Sequence, residues 1–102
     1  VRKRKYFQLV NNLMYCQRTA HGDGSYTDME LTDCFGGVIS GNIFHQPFLD
    51  RRVNIRLAGA SRDVTIAHNL FNSPGEPIVR DNGIAGILET ANQRTWTESQ
   101  RV

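Results

Sequence analysis

Asn42-Ile43-Phe44-His45-Gln46-Pro47 recurs 27 residues later as Asn69-Leu70-Phe71-Asn72-Ser73-Pro74. A looser version, Asn12-Leu13-Met14-Tyr15-Cys16-Gln17, stands 30 residues before the first. A repeat of this length implies stacked copies of one supersecondary unit, each contacting only its neighbours. The copies match upstream as well, because Leu9, Ile39 and Ile66 each lie three positions before the asparagine. A second register runs between the asparagines. Met29-Glu30-Leu31 is followed 26 residues on by Ile55-Arg56-Leu57 and, after another 29, by Ile84-Ala85-Gly86, with Ile87-Leu88-Glu89 as the alternative alignment.

Helical repeats would place apolar residues at i, i+3, i+4 and i+7. Here they alternate instead: Val53, Ile55 and Leu57 against Asn54 and Arg56, then Val64 and Ile66 against Thr65. Period two with β-branched residues predicts strands with one buried face. Breaker signals bound the runs at Gly36-Gly37, Gly41-Asn42, Ala58-Gly59-Ala60-Ser61, Ser73-Pro74-Gly75 and Asp81-Asn82-Gly83. At least two strands per repeat then suit one coil of a parallel β-solenoid, in which each strand pairs with its equivalent one coil away. Asn12, Asn42 and Asn69 are expected at a sharp corner. There an asparagine tolerates left-handed backbone, and stacked amides can bond as a ladder. Phe44 over Phe71, with Met14 completing the row, is the expected core stack.

Val-Ile-Ser-Gly-Asn-Ile-Phe (38–44) and Ser-Arg-Asp-Val-Thr-Ile-Ala-His-Asn-Leu-Phe (61–71) resemble coils of right-handed parallel β-helix proteins. That superfamily includes pectate lyases, polygalacturonases, alginate epimerases and phage tailspikes. The resemblance covers about residues 6 to 90 and implies an all-β, right-handed, single-stranded parallel β-helix of three to four coils. It implies a polysaccharide or oligosaccharide partner and an extracellular or virion setting. None of the family's catalytic motifs is present, so no active-site residue is carried over.

A chain of 102 residues predicts a single domain. Residues 1–5 form its basic end, 6–90 its coils and 91–102 a polar tail or cap. Three or four coils make a short solenoid, and open terminal coils expose strand edges. The expectation is therefore a fragment of a longer β-helix or a protomer that completes its surface by homo-oligomerising. The formal charge is +2, and four of the twelve basic residues fall in positions 2 to 5. A terminal basic cluster is not the stripe interleaved with aromatics that a nucleic-acid reader needs. No run approaches the length of a membrane span. Cys16 and Cys34 fall in different registers and leave both a disulfide and two buried thiols open.

The candidate site lies on the strand from Tyr26 to Thr32. With Met29 and Leu31 inward, Tyr26, Asp28 and Glu30 point outward, and the next coil sets Asn54 and Arg56 beside them. Asp28 and Glu30 then lie about 6 to 7 Å apart at Cα, since alternate residues share a face. Two carboxylates at that spacing make them candidate catalytic groups for glycoside hydrolysis. With Tyr26, Asn54 and Arg56 they also make a face that can bind sugar. The plainer reading is a surface ion pair between Glu30 and Arg56. His21 and Asp23 flank a tight turn in the longest loop, but no metal site or cofactor is expected, because too few ligands converge. Pro47 to Arg52 and Pro74 to Asp81 are expected to be loops. They form a mixed-charge rim of Asp50, Arg51, Arg52, Glu76, Arg80 and Asp81 with Phe48. The function expected is a carbohydrate-binding or polysaccharide-processing β-helix. The alternative is a non-catalytic structural or assembly solenoid.

Overall fold

The computed structural model describes residues 1–15, 26–45 and 52–97. Eleven strands follow one another: β1 (Gln8–Val10), β2 (Leu13–Tyr15), β3 (Tyr26–Thr32), β4 (Val38–Ser40), β5 (Ile43–His45), β6 (Arg52–Ala58), β7 (Arg62–Ala67), β8 (Leu70–Asn72), β9 (Glu76–Arg80), β10 (Ala85–Thr90) and β11 (Gln93–Arg94). They build three parallel sheets, ordered β1-β4-β7-β10, β2-β5-β8-β11 and β3-β6-β9. Partners in every sheet are three strands apart in sequence. The chain therefore visits the three sheets in a fixed order and returns one layer on, and each circuit is called a pass below. Every described strand pairs in parallel, as the repeat predicted.

Pass-to-pass register follows the repeat. Met14 pairs with Phe44 and Phe44 with Phe71. Leu9 pairs with Ile39 and Ile39 with Ile66. Met29, Glu30 and Leu31 pair with Ile55, Arg56 and Leu57. The inward residues of all three sheets meet in one cluster of Leu31, Cys34, Ile39, Phe44, Ile55, Leu57, Val64, Ile66 and Phe71. The rings of Phe44 and Phe71 stack with centroids 5.0 Å apart and planes 15° from parallel, so one aromatic packs on the next at the strand spacing.

The third match of the second register differs from expectation. Ile55, Arg56 and Leu57 pair with Ile78, Val79 and Arg80 of β9. Ile84 precedes β10, and Ile87 lies in it opposite Val64. The segment Glu76 to Arg80, expected to be a loop, is thus a strand. Pro74 and Pro77 disguise it, but β9 is an edge strand, where proline's missing donor is tolerated.

The asparagine ladder exists and has a fourth rung. Nδ2 of Asn12 donates to Oδ1 of Asn42 (3.0 Å), Nδ2 of Asn42 to Oδ1 of Asn69 (2.9 Å), and Nδ2 of Asn69 to Oδ1 of Asn92 (3.0 Å). The backbone N–H of each also donates to the next rung's Oδ1. Each Nδ2 from Asn42 on reaches back to a carbonyl of the preceding pass, at Leu9, Ile39 and Ile66.

The ladder residues themselves are not left-handed. The positive φ belongs to the residue before each: Asn11 (57°), Gly41 (70°), His68 (57°) and Ala91 (56°). The bend and the ladder are divided between neighbours, so the asparagine side chain is free to point inward. Gly41 and Gly59, both at positive φ, sit against a side chain of the preceding pass. A Cβ on Gly41 would lie 2.5 Å from Oδ1 of Asn11. One on Gly59 (φ 65°) would lie 2.2 Å from Oδ1 of Asp33, an atom already accepting the Ala60 N–H at 2.8 Å.

Strand pairing extends past the predicted coil range. Arg2 bridges Thr32 and Lys5 bridges Phe35, so the basic end is an ordered edge. Asn92 and β11 stack onto Asn69 and β8 in the segment expected to be a tail.

Candidate functional site

The face of interest is the outer side of β3-β6-β9. Glu30 lies beside Arg56 in register, as the 26-residue spacing implied. Two residues earlier on each strand, Nδ2 of Asn54 donates to Oδ2 of Asp28 at 2.9 Å. The acceptor must be the carboxylate, which assigns the amide nitrogen to that side. These four residues form two adjacent cross-strand pairs. Tyr26 starts the same strand opposite Arg52, but its side chain lies outside the described residues.

Their exposure differs from expectation. Glu30 is exposed and Asp28 half-buried, whereas Asn54 is fully buried at 0%. Its Oδ1 is buried without a hydrogen-bond partner among the described residues. Strand alternation places Asn54 on the outer side, where Arg56 of the same strand stays partly exposed, so the burial is local to this one position. Asn54 therefore serves the face by holding Asp28 rather than by reaching solvent itself.

Arg56 does not end at Glu30. Its Nε and Nη2 both donate to Oδ1 of Asp81, at 3.3 and 3.1 Å. Both partners remain partly exposed, at 43% and 35%, so the pair contributes at most about 1 kcal/mol. Asp81 is the residue sequence reasoning placed on the rim instead. It follows β9 directly, and only the correct β9 register brings it to Arg56. The resulting surface carries acceptors at Asp28, Glu30 and Asp81 and a guanidinium donor at Arg56.

The remaining expected site residues divide simply. Asn12, Asn42 and Asn69 belong to the ladder, and Phe44 and Phe71 to the core. His45 accepts at Nδ1 from Nδ2 of Asn72 (3.0 Å), while His68 is exposed at the bend. Cys34 is a buried free thiol whose backbone N–H donates to Oγ of Ser61. Cys16, His21, Asp23, Phe48, Asp50 and Arg51 lie outside the described residues. Among the described residues no group of three or more His, Cys, Asp or Glu could hold a metal ion. Among the described residues no helix is long and apolar enough to cross a membrane. No family model, curated protein or solved structure matches the chain.

Proposed function

We propose that the three sheets form a right-handed parallel β-helix of the pectate lyase-like and tailspike-like kind, and that its β3-β6-β9 face binds a polysaccharide or oligosaccharide. The fixed three-strand order supports the first part, and parallel crossovers are almost always right-handed. The observation that carries the second is the Asp28–Asn54 hydrogen bond set beside the Glu30/Arg56 pair. It orients one carboxylate and leaves another exposed, with a guanidinium within the same two rows. Sugar hydroxyls donate to carboxylates and accept from arginine, so a chain of them can be read along such a face. The reading is one of binding, with Asp28 and Glu30 as acceptors. Catalysis by the same pair is its extension.

A glycan array and a reducing-sugar assay test it, using the wild type and the Asp28→Asn/Glu30→Gln double variant. The reading expects glycan retention by the wild type and loss of at least about tenfold in the variant, the equivalent of roughly 1.4 kcal/mol. Wild-type indifference to every glycan would sink it.

A second reading, an assembly module, is favoured by a different surface. Leu13 and Ile43, stacked on the outer side of β2-β5-β8-β11, are 64% and 44% exposed. An uncharged aliphatic row of this kind suits the centre of a contact between copies. Sedimentation of the wild type and of Leu13→Lys/Ile43→Lys separates the two readings. An oligomer lost in that variant supports assembly, and a monomer in both cases excludes it.

A further inference from the structure

Three of the core rows do not end as they run. Leu9, Ile39 and Ile66 are followed in register by Glu89. Met14, Phe44 and Phe71 are followed by Arg94. Leu31 and Leu57 are followed by Arg80. Each sheet thus contributes an inward row that ends on a charge in the last pass, while the neighbouring inward rows through Ile55 and Val64 continue as Ile78 and Ile87.

These charges are tied to each other and to the backbone. Nε of Arg80 donates to Oε2 of Glu89 at 3.1 Å, joining β9 to β10 across the end of the core. The Arg94 guanidinium donates to the carbonyls of Ser73 (3.3 Å) and Pro74 (2.9 Å) and lies 5.9 Å from the Trp96 ring. The arginine stems cover the apolar row below while the heads stay wet. At the opposite end two of these same rows begin on Leu9 and Met14, half-buried apolar residues packed on the core.

We infer that Arg80, Glu89 and Arg94 are a stop that prevents a second copy of this chain from stacking on the last pass. The backbone alone would not prevent it. Parallel edges at the two ends have matching polarity, and Asn92, the last rung of the ladder, would meet Asn12 of the second copy. Head-to-tail pairing of that kind does not close and would grow into a fibre. Docking the apolar Leu9 and Met14 of a second copy would take three charged heads out of water. The desolvation of buried charges opposes that strongly, and inward-pointing charge is one of the ways natural sheets protect their edges. This inference is independent of glycan binding.

The test restores each row to the residue it carries one pass earlier: Arg80→Leu, Glu89→Ile and Arg94→Phe together. Sedimentation velocity is run on the wild type and the variant from roughly 1 to 100 μM, the range in which exposed edges associate, with far-UV circular dichroism as the check on folding. The inference expects the variant's average mass to rise continuously with concentration, by at least about twofold, as an open assembly should, and the wild type to show no such growth. A folded variant whose mass tracks the wild type throughout overturns it. Should the triple variant not fold, Glu89→Ile alone is measured in the same way. Growth above wild type supports the stop, and equality overturns it.

Discussion

Removing a buried rung of the asparagine ladder should be several times more damaging than removing its outer rung. Asn69 is 2% exposed. Its Oδ1 accepts the N–H and the Nδ2 of Asn42, both at 2.9 Å, and its Nδ2 donates to the Ile39 carbonyl at 3.1 Å and to Asn92. Asn69→Ala leaves the buried Asn42 N–H without its acceptor, which costs about 1–3 kcal/mol, and forfeits three further bonds at about 0.5–1 kcal/mol each. The sum is about 2.5–6 kcal/mol, which is a large share of a small domain's stability. Asn12→Ala removes one side-chain bond at an exposed position, worth about 1 kcal/mol or less. Urea unfolding of both variants, followed by circular dichroism, measures the difference as a shift in midpoint at constant slope. Equal losses at the two positions would refute the claim that the ladder works by burial.

Asn69→Asp keeps the shape but turns a donor into an acceptor facing the Ile39 carbonyl, so the buried acid is held protonated and its folded-state pKa lies above the unfolded one. The variant should therefore be most stable in acid and lose stability as pH rises through that raised value, and a flat pH profile would contradict this. Gly41→Ala should lose at least about 1–2 kcal/mol from its left-handed backbone alone, with the 2.5 Å approach to Asn11 adding to it. Ala91→Gly, where a non-glycine holds a φ of 56°, should instead gain up to about 1 kcal/mol, both read from thermal melts. Phe44→Ala should lose about 3–5 kcal/mol through the cavity left beside Phe71. In a Cys16→Ser background, Cys34 should react with Ellman's reagent only as fast as the chain unfolds, because it is wholly buried.

The parts of this fold that were legible in sequence are those where one residue type must recur. Asn12, Asn42 and Asn69 need identical amides to bond in line, and Phe44 and Phe71 need flat rings to stack, so both left a literal repeat. Asn92 was missed because its pass is shorter by four residues and its row ends on Arg94 rather than a phenylalanine. β9 was missed because its prolines imitate a turn, and the register error hid Asp81 from Arg56. The left-handed columns mix Asn, Gly, His and Ala, since any residue able to tolerate positive φ serves, and such a mixture leaves no motif. At the candidate site, alternation gave the side of the sheet correctly but not the depth. Asn54 lies on the outer parity and is buried while Arg56, two residues on, is partly exposed, because parity fixes the face and not what covers it.

The most direct test of the account is the pass-to-pass register itself, measured as interstrand nuclear Overhauser contacts. The account predicts that Ile55 contacts Met29 on one side and Ile78 on the other, that Phe44 contacts Met14 and Phe71, and that the backbone pattern is parallel throughout. Contacts from Ile55 to Ile84, or an antiparallel pattern in any of the sheets, would contradict it.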